Sequence, residues 1–142
     1  MPGPFAGVRI LDLTTVVLGP YALQILGDLG ADIIKVEAPE GDIVRYVGEG
    51  RTPAMGPTHL AVNRNKRSLV LDLKRPEARD ALLQLAGTAD AFVHSMRPKA
   101  IQALGLGYDA VKAANPGIVY CGAYGFRADG PYGDKPAYDD MI

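Results

Sequence analysis

The sequence predicts an α/β fold, doubly wound with a mostly parallel sheet, and three observations carry that reading. Short apolar runs alternate with helical spacings along most of the chain. The first strand–helix–strand passage takes about thirty residues, the size of a βαβ unit. Proline or glycine stands at most points where one element gives way to the next, the punctuation expected of alternating strands and helices.

Residues 8–13, V-R-I-L-D-L, form a short buried strand. Gly19-Pro20 opens a helix, since proline at a first helical position gives up an N–H that would be unpaired anyway. Ala22, Ile25, Leu26 and Leu29 share one face, expected to be the buried stripe, and Gly30 ends the helix. Residues 32–37 are the second strand, paired in parallel with the first through a right-handed crossover. Pro39, Gly41, Gly48, Gly50, Pro53, Gly56 and Pro57 break any period across 38–63, leaving a long loop with one short helix near 58–62. Loops of this length inside a compact domain are usually functional or mobile.

Residues 68–73 read as the third strand. Pro76 starts a helix in which Ala78, Ala81, Leu82, Leu85 and Ala86 keep helical spacing, and Gly87 ends it. Residues 91–94 make a fourth strand, and 98–104 a short helix closed by Gly105. Asp109 is expected to cap a helix through Ala114, ended by Asn115-Pro116, and 117–123 form the fifth strand. From Tyr124 onward the chain is glycine- and proline-rich, and 137–142 resemble the first turn of an unfinished helix. With no cap or polar tail after it, the sheet is expected to be incomplete at its C-terminal end, as in a chain cut short.

The 142 residues are 48% hydrophobic and 22% charged, the balance of one ordinary globular domain. Fifteen Lys+Arg against sixteen Asp+Glu give a net charge of −1, so no bulk field favours nucleic acid or an anionic membrane. No apolar run approaches the roughly 20 residues of a membrane span, and the first residues lack the basic and apolar regions of a secretory signal. A single cysteine excludes an internal disulfide framework and points to a reducing compartment.

In open parallel sheets ligands bind beyond the carboxyl ends of the strands; here those ends lead into 14–18, 38–63, 74–76, 95–98 and 124–135. The first of these turns lacks the G-x-G-x-x-G that admits a pyrophosphate, although Glu37 stands where a ribose-binding acid would end the second strand. A nicotinamide dehydrogenase is therefore disfavoured, and there is no Walker lysine motif. Arg64-Asn65-Lys66-Arg67 reads either as a phosphate clamp or as a solvated loop, the latter favoured by charge pattern alone. His59 and His94 are far apart with no ligand spacing around them, so no metal is expected. Cys121 reads as a buried packing residue rather than a nucleophile. Asp139-Asp140 reads as an acidic pair in a first helical turn rather than a catalytic pair. No nucleophile, base and orienting group can be assembled from these residues.

The ordered series G-V-R-I-L-D-L (7–13), G-P-Y (19–21), L-G-D-L-G-A-D-I-I-K-V-E (26–37), N-K-R-S-L-V-L-D-L-K (65–74), R-P (97–98), L-G-L-G-Y (104–108), N-P (115–116), Y-G (124–125), G-P-Y (130–132) and K-P-A-Y-D (135–139) closely resembles the family III CoA-transferases of CaiB/BaiF type. That group includes the carnitine-, formate- and oxalate-linked CoA-transferases and the 2-methylacyl-CoA racemases. The resemblance implies a Rossmann-like large domain that binds coenzyme A, with no metal. The enzyme it implies is cytoplasmic, forms interlocked homodimers, and transfers CoA from an acyl-CoA to a carboxylic acid. Residues 1–142 would be the N-terminal, CoA-binding part of that domain, with its remainder and a small domain lying beyond.

The family's CoA contacts carry over onto Thr15, Val16, Val17, Leu18, Leu71, Lys74, Ser95, Met96, Arg97, Lys135 and Tyr138, and the resemblance raises the clamp reading of Arg64, Lys66 and Arg67. Ala38 and Ala103 depart from basic residues found in other members, which implies weaker nucleotide contacts. The family nucleophile is an aspartate that attacks the thioester and becomes a mixed anhydride; its position lies beyond Ile142. The racemase branch carries a histidine at the position of Tyr138, so Tyr138 favours transfer. The alternatives are a non-catalytic CoA-binding remnant or a member of the racemase branch.

Overall fold

The elements follow one another as β1 (Arg9–Leu13), α1 (Leu18–Asp28), β2 (Asp32–Glu37), a 3₁₀ turn (Ile43–Tyr46), α2 (Pro57–Val62), β3 (Lys66–Val70), α3 (Pro76–Ala86), β4 (Ala91–His94), α4 (Pro98–Ala103), α5 (Tyr108–Ala114) and β5 (Val119–Gly122). This is a computed structural model describing residues 3–127, 129–133 and 135–137. The strands form one sheet in the order β3-β2-β1-β4-β5, every neighbouring pair parallel. Strand order therefore reverses between β1 and β4, the switch point of a doubly wound sheet. The expected helical turn over 137–142 lies almost wholly outside the described residues, as do Tyr138, Asp139 and Asp140.

Alternate residues of the strands feed two cores. Leu11, Leu13, Ile34, Val36 and Phe92 pack with Leu82 and Ala86 of α3, Ile101 of α4 and Val111 of α5. On the opposite face Ile10 and Ile33 pack with Leu23 of α1. Glycines 30 and 105 adopt φ of +104° and +69° just after their helices, the left-handed step that glycine supplies without strain.

Several elements differ from expectation for identifiable reasons. Helix α1 begins at Leu18, so Pro20 is its third residue, and its inward side carries Gly19, Pro20, Leu23 and Gln24. Ala22, Ile25 and Leu29 face outward, with Ile25 44% exposed; of the expected stripe only Leu26 packs against the core. Close approach decides this rotation. A Cβ on Gly19 would collide with the Thr14 side chain, and one on Gly27 would press on Asn65 O and Ile33. Glycines eight residues apart thus set the helix against the sheet, and the bulkier side chains are left outside.

Strand β3 starts at Lys66 rather than Ser68 because its ladder to β2 opens at Ile33↔Lys66, and it ends where Leu71–Lys74 turn back, with Lys74 N–H donating to Asp72 Oδ1 at 3.2 Å. Gly107, not Asp109, is the N-cap of α5, and Asp109 lies in its first turn. Cys121 is exposed, not packed. It sits on β5, an edge strand whose burial alternates, and Val119 beside it is exposed as well.

The carboxyl half of the α1 face is ionic. Lys35 and Asp12, register partners in β2 and β1, are buried: Lys35 Nζ lies 3.4 Å from Asp42 Oδ2, and Lys66 Nζ lies 2.8 Å from Asp12 Oδ2. Glu37 binds Arg45 through two bonds of 2.8 and 2.5 Å and accepts the Asp42 N–H at 3.0 Å. Burial alone would raise its pKa, but Arg45 and the Asp42 N–H outweigh it and hold the carboxyl down to about 2.

Two measurements follow. Gly19→Ala is expected to lower stability in chemical denaturation by more than Ile25→Gln, which should stay within about 0.5 kcal/mol of wild type; the reverse order would restore the apolar-stripe reading of α1. Burial also holds His59 and His94 below their ordinary 6.5. The unfolded chain then binds protons first, and stability should fall as pH drops below 6.5. The Glu37 contribution, on the order of 3 kcal/mol from its shift, is complete above pH 4.5 and lost between 4.5 and about 2. A denaturation midpoint constant from pH 7 to pH 3 would contradict both assignments.

Candidate functional site

Where β1 ends, the chain makes an unusual turn. Asp12 Oδ1 accepts both the N–H and the hydroxyl of Thr14, at 2.9 and 2.5 Å. Lys35 Nζ donates to Thr14 O at 2.9 Å, Thr15 N–H donates to Ser95 Oγ at 3.0 Å, and Val16 N–H donates to the Asp42 carboxylate. Three consecutive residues are thus fixed by side chains of β1 and β2 and by others just beyond β2 and β4. Val16 itself has φ of +68°, a left-handed conformation that a β-branched residue rarely adopts. Helix α1 follows with no side-chain N-cap, leaving N–H groups and the positive end of the helix dipole beside this turn.

Two cavities share Thr15 of this turn. One, of about 320 Å³, lies between residues 15–19, Ser95, Arg97, the 123–126 segment and Lys135. The other, of about 270 Å³, lies over the ends of β1, β2 and β3, between Leu13, Ala38, Asp42, Leu71, Lys74, Met96 and Leu104. Both sit at the carboxyl ends of the strands and flank the switch point, where ligands of open α/β sheets bind.

Of the residues singled out from sequence, Thr15 lines both cavities. Val16, Val17, Leu18, Ser95, Arg97 and Lys135 line the first, and Leu71, Lys74 and Met96 the second. Tyr138 lies outside the described residues. Lys74 makes no ion pair among the described residues, and Lys135 Nζ stands 4.4 Å over the Tyr132 ring. Ala38 lines the second cavity, so the small side chain there leaves room rather than charge.

The phosphate-clamp reading of the cationic run does not hold. Arg64 pairs with Asp28, Lys66 with Asp12 and Arg67 with Asp32, and none of the three lines either cavity. Their charges are matched by carboxylates of β1, α1 and β2. Glu37 lines the second cavity but is committed to Arg45 and the Asp42 N–H, so it does not serve as a free ribose acceptor. Sequence reasoning placed 38–63 and 124–135 beyond the strand ends but singled out neither Gly41 and Asp42 nor the residues of 123–126. The Gly41-Asp42 pair just past a strand was the available signal, since Gly41 has φ of +76° and places the Asp42 carboxylate beneath the first turn.

His94 is fully buried among Phe92, Tyr120 and Tyr124, with Nε2 3.4 Å from Tyr124 Oη and Nδ1 unpartnered among the described residues. Burial also raises Tyr120, to about 12, and its hydroxyl donates to Leu106 O at 3.0 Å. These groups are neutral near pH 7 and form no nucleophile–base pair.

The family model for CoA-transferase family III matches residues 5–142. The chain is 41% identical over 137 residues to a human succinyl-CoA:glutarate CoA-transferase, covering 96% of this chain and 31% of that one. It is 40% identical over 142 residues to a probable fatty acyl-CoA transferase of Mycobacterium tuberculosis, covering 98% of this chain and 36% of that one. Among solved structures, a CAIB/BAIF family protein from Brucella suis superposes with a TM-score of 0.93 at 35% identity, over 99% of this chain and 38% of its own. The chain thus spans about a third of the length of these relatives. With model, relatives and fold in agreement over nearly all its residues, the chain belongs to family III of the CoA-transferases.

Proposed function

We propose that these residues bind coenzyme A thioesters for the transfer of CoA to a carboxylic acid. The observation that carries this reading is the pair of adjoining cavities at the switch point, which share Thr15 and bear Lys74, Arg97 and Lys135. A long ligand with a nucleotide at one end and a flexible arm at the other suits two such cavities better than one compact substrate does. The adenosine end is assigned to the cavity over β1, β2 and β3, whose wall of Leu13, Leu71, Met96 and Leu104 is apolar. The arm is assigned to the cavity beside the uncapped start of α1, where Arg97 and Lys135 suit phosphate oxygens.

The covalent chemistry is assigned to an aspartate outside residues 1–142, so that these residues constitute the CoA-binding part of a larger domain. The carboxylate attacks the thioester carbonyl and expels the CoA thiolate, leaving a mixed anhydride. The thiolate then displaces the donor acid to give an enzyme thioester, from which the acceptor carboxylate regenerates an acyl-CoA. A cytoplasmic homodimer is the form proposed for the whole enzyme. The racemase reading is disfavoured by Tyr138 in place of a histidine.

Titration calorimetry of the chain with CoA should show binding, and Lys74→Ala should weaken it about tenfold, the scale of one charged hydrogen bond. Unchanged affinity would remove Lys74 from the site. For the full enzyme, labelled CoA should exchange between succinyl-CoA and added glutarate, used as probes; α-proton loss into deuterated solvent without exchange would favour the racemase branch instead.

A further inference from the structure

We propose that Asp42 is a positioning residue: its carboxylate holds Val16 in a left-handed backbone, and that strained turn shapes the wall between the two cavities. This rests on the reading of the cavities as the CoA site.

An L-residue in this region is disfavoured by about five- to thirtyfold, and a β-branched one is a genuine outlier. Val16 is nevertheless held there, at φ of +68°. Its N–H meets both Asp42 oxygens, at 3.1 and 3.2 Å, and a charged acceptor makes a stronger bond than a neutral one. Asp42 is itself immobilised. Its backbone N–H donates to Glu37 Oε1 at 3.0 Å, its Oδ1 accepts Val44 N–H at 3.2 Å, and Lys35 Nζ stands 3.4 Å from its Oδ2. Lys35 also grips Thr14 O and Ser95 grips Thr15 N–H, so the residues leading into Val16 cannot relax to share the strain.

The bond also joins the two halves of the site. Val16 lines one cavity, Asp42 lines the other, and Thr15 lines both. A ligand filling both spaces therefore meets a wall whose shape depends on this contact. Strain held at such a place by surrounding structure is pre-organisation, because the ligand then finds the turn already formed.

Glycine reaches φ of +68° without penalty and has no need of the clamp. CoA titrations of the wild-type chain, Asp42→Ala, Val16→Gly and the double variant separate positioning from simple support. Asp42→Ala is expected to bind CoA about five- to thirtyfold more weakly, the size of the left-handed penalty. In a Val16→Gly background, Asp42→Ala is expected to cost no more than about twofold relative to Val16→Gly itself, because the clamp then has no strained residue to hold. If Asp42→Ala leaves Lys35 uncompensated and does not fold, Lys35→Met/Asp42→Ala replaces it, with the same comparison of affinity before and after Val16→Gly. Wild-type affinity in the Asp42 variant, or an equal loss from Asp42→Ala with and without Val16→Gly, overturns the proposal alone. No uptake of CoA by the wild-type chain overturns the site reading and the proposal together.

Discussion

The buried pair of Lys35 and Asp42 is the constraint on which the site depends. Lys35 sits between Ile34 and Val36 in β2, 2% exposed, where an uncompensated ammonium would be strongly destabilising. Its partner comes from the loop after the same strand, so that loop must fold back over the sheet. Once there it is fixed by Glu37 and Arg45, and it presents the Asp42 carboxylate to the first turn. Replacing these ions with apolar side chains would fill the space, but it would leave Val16 N–H and Thr14 O without their partners. The charges are best understood as specifying one loop path rather than as a source of net stability.

Much of the fold was legible because parallel sheets announce themselves through apolar runs, helical spacings and Pro/Gly punctuation. Strands 32–37 and 91–94 and helix 76–86 coincide with the expectation residue for residue. The orientation of α1 was not legible. Hydrophobic spacing ranks Ile25 and Leu29 as core, whereas the helix turns Gly19 and Gly27 toward the sheet, where a Cβ on Gly19 would collide with Thr14 and one on Gly27 would press on Asn65 O. Cys121 was misjudged because alternation on an edge strand depends on what covers its outer side, which local sequence does not encode.

The site shows the same division. The described residues drawn from the family resemblance gather around the two cavities, since their order along the chain follows the order of strand ends. The cationic run was the opposite case. Arg64, Lys66 and Arg67 are consecutive enough to suggest one phosphate, yet their partners Asp28, Asp12 and Asp32 lie far back in the chain, and a charge pattern cannot show a distant carboxylate. Asp42 escaped notice for the same reason: its meaning lies in Val16 and Lys35.

The pairing of β1 with β4 at the centre of the sheet has a kinetic corollary. Arg9 N–H and the Asp90 carboxylate, which open this seam, are 81 residues apart in sequence. The β1–β2–β3 half closes through shorter crossovers, at a smaller entropic cost. The loop-closure entropy of the central seam must be overcome before Phe92 and Leu11 reward it with burial. Until then the β1 edge stands open, offering unpaired backbone to any neighbouring strand. The same switch point that creates the cavities thus gives the middle of the sheet its costliest loop to close.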